Sequence, residues 1–253
     1  MRATLPRADG PTGDAYRVLA ELDFPLPLNV DDLRTYLGLD LVRDARLPAR
    51  VRGVLDVEEH LIVVREGLPP SAESHVVCHE GGHYQMATHR ALLYRCSEFD
   101  LSEQVRRRME VEANAFAATL RFGAVPHGWV DDEEPSVARV RALTEITGAS
   151  LESALRWYVE NSRRAVWGLV CGLAVAQSRG GAGGRDQPAA AQVRYGCRST
   201  AAVPLEWPAV IPVPLGLGRA TCQGPPEWRG YWQAGARHVE VHATAYWTCA
   251  LLW

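Results

Sequence analysis

A chain of 253 residues, 47% hydrophobic and 23% charged, has an ordinary globular composition with room for two or three small domains. Its formal net charge of −3 removes the whole-chain electrostatic footprint of a nucleic-acid binder. Six cysteines (Cys78, Cys96, Cys171, Cys197, Cys222 and Cys249) are scattered without a C-x-x-C pair, which argues against a disulfide framework or a cysteine zinc site and fits a reducing cytoplasm.

Residues 1–12 read as a lead-in without the apolar core of a secretory signal. A short helix is predicted over Asp14–Leu22, then an extended connector from Phe24 to Val30. Asp31 and Asp32 open a second helix that Gly38 stops after Leu37. Leu39–Arg43, Gly53–Val57 and His60–Val64 read as short strands, and His60, heading the third, reads as a surface histidine. A further helix is predicted from a Ser71 cap, after Pro69-Pro70, to about His89. Helix, helix, small sheet and helix make an α+β architecture. A sheet edge beside the last helix would let a peptide add as an extended strand.

That last helix carries His79-Glu80-Gly81-Gly82-His83, an H-E-x-x-H pattern. Residues four apart share a helix face, so His79 and His83 can direct two imidazole nitrogens at one metal ion. Glu80 lies at the side of that face, placed to take a proton from water activated by the ion. Zinc suits imidazole ligands with an open position. His75 and His79 form a competing i, i+4 pair, but Glu80 has a role only with the later one. The two glycines oppose helix formation by about 1 kcal/mol each; a small residue just before His83 is tolerable where another backbone passes close, and Gly81 is the less expected of the two. Downstream, Val105, Met109, Ala113, Phe116 and Leu120 mark one stripe of a helix between Leu101 and Leu120. Glu110 and Glu112 flank the stripe on opposite sides, and periodicity does not choose a third ligand between them. Asn114, four residues after Glu110, could orient a ligand histidine, which favours Glu110.

Glu110-Val-Glu-Ala-Asn114-Ala-Phe116-Ala-Ala-Thr-Leu120 after an H-E-x-x-H helix resembles the ImmA/IrrE metallopeptidases, closest to the IrrE (PprI) branch. The likeness extends upstream through Gly53-Val-Leu-Asp and His60-Leu-Ile-Val-Val. It departs at Gly81, where the family carries a bulky residue, and after Leu120, where the chain reads Arg-Phe-Gly with Pro126 late. The resemblance implies a zincin-like metallopeptidase domain, with His79, His83 and Glu110 as zinc ligands and Glu80 as general base; whether manganese replaces zinc is left open. It implies a protein substrate, an XRE-type repressor cleaved to derepress DNA-damage and other stress genes.

Asp131-Asp-Glu-Glu-Pro135 reads as an acidic boundary. Ser136–Thr147, Gly148-Ala-Ser150 and Leu151–Asn161 read as a helix-turn-helix. Its second helix offers Arg156, Asn161, Arg163 and Arg164 but also Glu152 and Glu160, so packing or docking is preferred to base readout, and any DNA binding is expected to be weak and salt-sensitive. Ala165–Ala176 reads as an apolar strand, too short to cross a bilayer. Ser178–Pro188 reads as a flexible loop, and Gln192–Arg198, Trp207–Val213 and His238–Trp253 as strands. The resemblance makes this last part a small GAF-like sensor domain whose ligand, if any, is unassigned. Trp207, Trp228, Trp232 and Trp247 read as core, or as a ligand pocket. The expected organisation is a peptidase domain over 1–130, a helical module over 135–164 and the sensor over 165–253, in the cytoplasm and without membrane association. The rival readings are a helix-turn-helix DNA-binding regulator with an inactive or structural metal site, and a sensor with a structural metal. His89 and His127 carry no assignment.

Overall fold

The computed structural model describes residues 10–22, 26–95, 101–126, 128–175, 189–202, 204, 210–213, 218–222, 239–243 and 248–253. His127 and the tryptophans 207, 228, 232 and 247 lie outside them, as does the 178–188 segment. Seven helices and two sheets among the described residues make a mixed α/β protein, consistent with the α+β class. The chain divides into two compact units, Met1–Pro126 with Thr144–Ser150, and His127–Leu143 with Leu151–Trp253. No helix among the described residues is long and apolar enough to cross a membrane.

In the first unit, α1 (Gly10–Leu22) and α2 (Val30–Leu37) precede a three-stranded sheet. Asn29 caps α2 by accepting the Asp31 N–H at 2.9 Å. Gly38 ends it at φ 68°, a left-handed conformation that favours glycine. In the sheet, β3 (Leu61–Arg65) is central, with β1 (Asp40–Asp44) parallel on one side and β2 (Gly53–Asp56) antiparallel on the other. Ile62 and Val64 of β3 point into the core, the period-two signature of a half-buried strand. They meet Ala15 and Val18 of α1, Leu33 of α2, and Val77 and Cys78 of α3 (Pro70–Gln85) in one cluster. Phe116, Ala117 and Leu120 of α5 (Glu103–Phe122) complete it. Burial of each Val, Leu, Ile or Phe side chain in this cluster stabilises the fold by about 1.5–3 kcal/mol.

Two expectations here are corrected. α3 starts at Pro70, with Pro69 as its cap residue, because proline is tolerated in a first turn whose N–H groups have no helical partner. It also stops at Gln85 rather than running to His89. Met86, 4% exposed, adopts an extended conformation (φ −75°, ψ 110°), and a separate α4 (Ala87–Arg95) follows. His60 is likewise not in a strand. It occupies the β2–β3 turn at φ 53°, and its Nδ1 lies 2.6 Å from the Tyr84 hydroxyl.

α6 (Val137–Thr147) and α7 (Leu151–Asn161) are joined through Gly148 at φ 64°. In the second unit α7 covers an antiparallel sheet of order β6-β5-β4-β9-β8-β7. Its strands are β4 (Trp167–Val175), β5 (Ala189–Arg198), β6 (Val210–Val213), β7 (Gly218–Cys222), β8 (Val239–Ala243) and β9 (Thr248–Leu252). At Gly168 a Cβ would lie 3.0 Å from Val159 and 3.2 Å from Leu155, so this glycine lets α7 lie close on β4. The single strand expected from His238 to the end is two strands paired with each other, and β7 had no expectation. Neither glycine nor proline stands between β8 and β9 in the sequence, so nothing there signals a division into two strands.

Candidate metal centre

Two glycines bring three helices together around His79 and His83. A Cβ at Gly81 would stand 2.9 Å from Cδ1 of Leu37, so this position lets α2 close on α3. A Cβ at Gly82 would stand 2.9 Å from Cδ1 of Phe116 and 3.2 Å from its Cβ and Cγ, so this one lets α5 close from another side. Phe116 is on the same helix as Glu110 and Asn114, so its contact seats both of them beside the histidines.

The result is a convergence of three donors. The Nε2 atoms of His79 and His83 lie 3.2 Å apart. Glu110 Oε2 lies 3.2 Å from His79 Nε2, and Oε1 lies 3.4 Å from His83 Nε2. Bonds of about 2.0–2.2 Å at tetrahedral angles would put neighbouring zinc donors about 3.3 Å apart, the spacing seen here. The group His79, His83 and Glu110 could therefore hold a metal ion. His75 is not part of it, and burial with the Arg121 charge beside it pushes the pKa of His75 down to about 4.

The hydrogen bonds fix which nitrogen of His79 is free. Asn114 Nδ2 donates to the Glu110 carbonyl at 2.8 Å, so its Oδ1 must be the atom facing His79 Nδ1 at 3.2 Å. His79 then carries its proton on Nδ1 and turns the Nε2 lone pair toward the cluster. Glu80 follows on α3, half-buried, its Oε1 3.6 Å from where a Cβ on Gly53 would be. The side chain thus stands against the start of β2.

Without a cation the cluster is held by protons. Burial lowers the pKa of His79, but the Glu110 hydrogen bond, the Glu80 and Glu110 charges and Asn114 outweigh it and raise the value above 6.5. The imidazoles of His79 and His83 beside it hold Glu110 well below 4.5. The raised His79 stabilises the folded metal-free chain below pH 6.5, and this is lost as pH rises through its folded value. The depressed Glu110 stabilises it above pH 4.5, and this is lost as pH falls through its folded value. A bound cation replaces the His79 proton. The zinc-induced rise in melting temperature should therefore grow as pH climbs from below 6.5 to above the raised folded value of His79. A zinc shift equally large at both ends would show that these imidazoles are not ligands.

Two further residues belong to the neighbourhood. His89, 1% exposed, places Nδ1 3.2 Å from His83 Nδ1 and Nε2 2.8 Å from Glu112 Oε2. Arg108 Nε donates to the other Glu112 oxygen at 2.8 Å. Burial lowers the pKa of His89 against the opposing pull of Glu112. In one unbroken helix, residues six apart point to different sides, so only the break at Met86 lets His89 reach His83. No spacing rule could have found the contact.

No family model and no curated protein matches the chain. Among solved structures, it is similar to a Mycobacterium tuberculosis transcriptional regulator, with a TM-score of 0.52 and 13% identity over 95% of this chain and 74% of that one. At that identity the likeness is one of fold.

Proposed function

We propose that the chain is a zinc-dependent endopeptidase of the kind its two motifs resemble, the ImmA/IrrE metallopeptidases, and that it cuts an XRE-type repressor in the cytoplasm. In this reading the first unit is zincin-like and the six-stranded sheet belongs to a GAF-like sensor. The observation that carries it is the meeting of His79, His83 and Glu110 at tetrahedral spacing with Glu80 next in the chain. When bound, the ion supplies a Lewis acid that polarises a carbonyl and acidifies water. Glu80 takes the proton from the attacking water and returns it to the leaving amine. Edge strand β2, whose Gly53 abuts Glu80 and whose Val54 is 45% exposed, is where a substrate would add as an extended strand. Its peptide carbonyls would then pass the general base. The test is incubation of the purified chain with XRE-type repressors, with and without chelator. One discrete cut that the chelator prevents is the expected result, and intact substrates under every metal condition would refute the reading.

A DNA-binding regulator is the second reading, favoured by the fold likeness to a protein named as a transcriptional regulator. The exposed side of α7 speaks against strong binding. Arg156 is tied to Glu160 at 2.8 Å, four residues on, so its charge is locally answered. Fluorescence anisotropy should show only weak, salt-sensitive association with duplex DNA. Tight sequence-specific binding at physiological salt would put the regulator reading first.

A further inference from the structure

The geometry points to Arg108, Glu112 and His89 as a hydrogen-bonded chain that locks His83 in its metal-binding tautomer, so His89 and Glu112 are positioning residues for the candidate metal. This inference rests on the metal reading of the cluster. Neutral imidazole has one N–H and one lone pair, so a ring nitrogen facing another ring nitrogen demands one of each. Two arrangements are open at the His83–His89 contact. In one, His83 Nδ1 donates to His89 and the His83 Nε2 lone pair is free for a cation. In the other, His89 donates, and the proton of a neutral His83 is forced onto Nε2, where it points at His79 and Glu110 and blocks a cation.

Glu112 decides between them. An ionised carboxylate only accepts, so the His89 nitrogen 2.8 Å from it must carry hydrogen. A neutral His89 then has its lone pair on Nδ1, facing His83 Nδ1 at 3.2 Å, and the first arrangement follows. Arg108 holds the far carboxylate oxygen and keeps the acceptor aimed. A charged His89 is disfavoured by its nearly complete burial.

Both histidines of the cluster therefore meet an acceptor on their outer nitrogen, but by different routes. His79 reaches Asn114 directly. His83 reaches the opposite flank of α5 through His89, a bridge that exists because α3 breaks at Met86. Glu110 and Glu112 thus act on the same imidazole from its two ends, one on Nε2 and one through Nδ1.

The test is zinc affinity, measured by competition with a chromophoric chelator, which needs no substrate. His89→Leu removes the acceptor at nearly constant volume and should weaken zinc by about 10–100-fold, as should Glu112→Ala. His89→Asn puts an amide oxygen where Nδ1 stood and should restore affinity to within a few-fold of the parent chain. In that background Glu112→Ala should have no further effect, a decoupling that a merely structural role would not produce. Equal affinity for His89→Leu and the parent chain, or a His89→Asn no better than His89→Leu, overturns the lock. Should His89→Leu fail to fold, Glu112→Ala, alone and combined with His89→Asn, measures the same coupling: parent-like affinity for Glu112→Ala alone overturns the lock. A parent chain that takes up no zinc sinks the metal reading itself, which is a different result.

Discussion

Glu80→Gln should keep its zinc and lose about two to four orders of magnitude in peptide hydrolysis, whereas His79→Ala, His83→Ala and Glu110→Ala should lose the metal first and activity with it. The contrast follows from position. The three donors stand 3.2–3.4 Å from one another, so removing one leaves two donors and an open cavity. Glu80 is outside that triangle and stands against β2, so its amide analogue leaves the three donors in place and removes the base. A positioned general base contributes about 10²–10⁴-fold. Glu112→Ala should still retain stoichiometric metal at high protein concentration, because Glu112 reaches the centre only through His89. Metal content by elemental analysis, beside cleavage rates on one repressor, separates the cases. Loss of metal with Glu112→Ala and retention with Glu110→Ala would reverse the two glutamates.

Helical periodicity made much of this neighbourhood visible in the sequence. His79, His83, Glu110 and Asn114 are each related to another by an i, i+4 step inside one helix, and such steps survive folding unchanged. The choice between Glu110 and Glu112 was harder, because both flank the same apolar stripe. Periodicity says which face a residue shares, not what stands opposite. His89 was out of reach for a stronger reason, since its contact needs α3 to stop at Met86 and nothing between Gln85 and Ala87 is a helix breaker by propensity. His60 looks like the head of a strand because an apolar run follows, while the structure places it in the β2–β3 turn in a left-handed conformation. Local propensity also misjudged Gly81, counting its helix penalty without seeing the Leu37 side chain that presses on it.

Gly81 and Gly82 should separate sharply on substitution. A glycine inside a helix costs about 1 kcal/mol relative to alanine, so Gly81→Ala and Gly82→Ala start with the same gain. At Gly81 the nearest obstacle is Cδ1 of Leu37 at 2.9 Å, the far end of a side chain that can rotate away. Gly81→Ala should change stability by less than about 1 kcal/mol. At Gly82 the obstacles include the Cβ of Phe116 at 3.2 Å, which is fixed to the α5 backbone, and its ring is wholly buried. Relief requires α5 itself to move, and overpacking of this kind costs about 1–3 kcal/mol. Gly82→Val, adding two more methyl groups, should reach the upper end of that range. Because Glu110 and Asn114 travel with Phe116, the same displacement should pull a donor from the histidines and weaken zinc at least tenfold, although no donor is altered. Urea midpoints and chelator competition on Gly81→Ala and Gly82→Val measure both effects. If the two variants match in stability and zinc affinity, the close approach of α5 at Gly82 is not what seats the third donor.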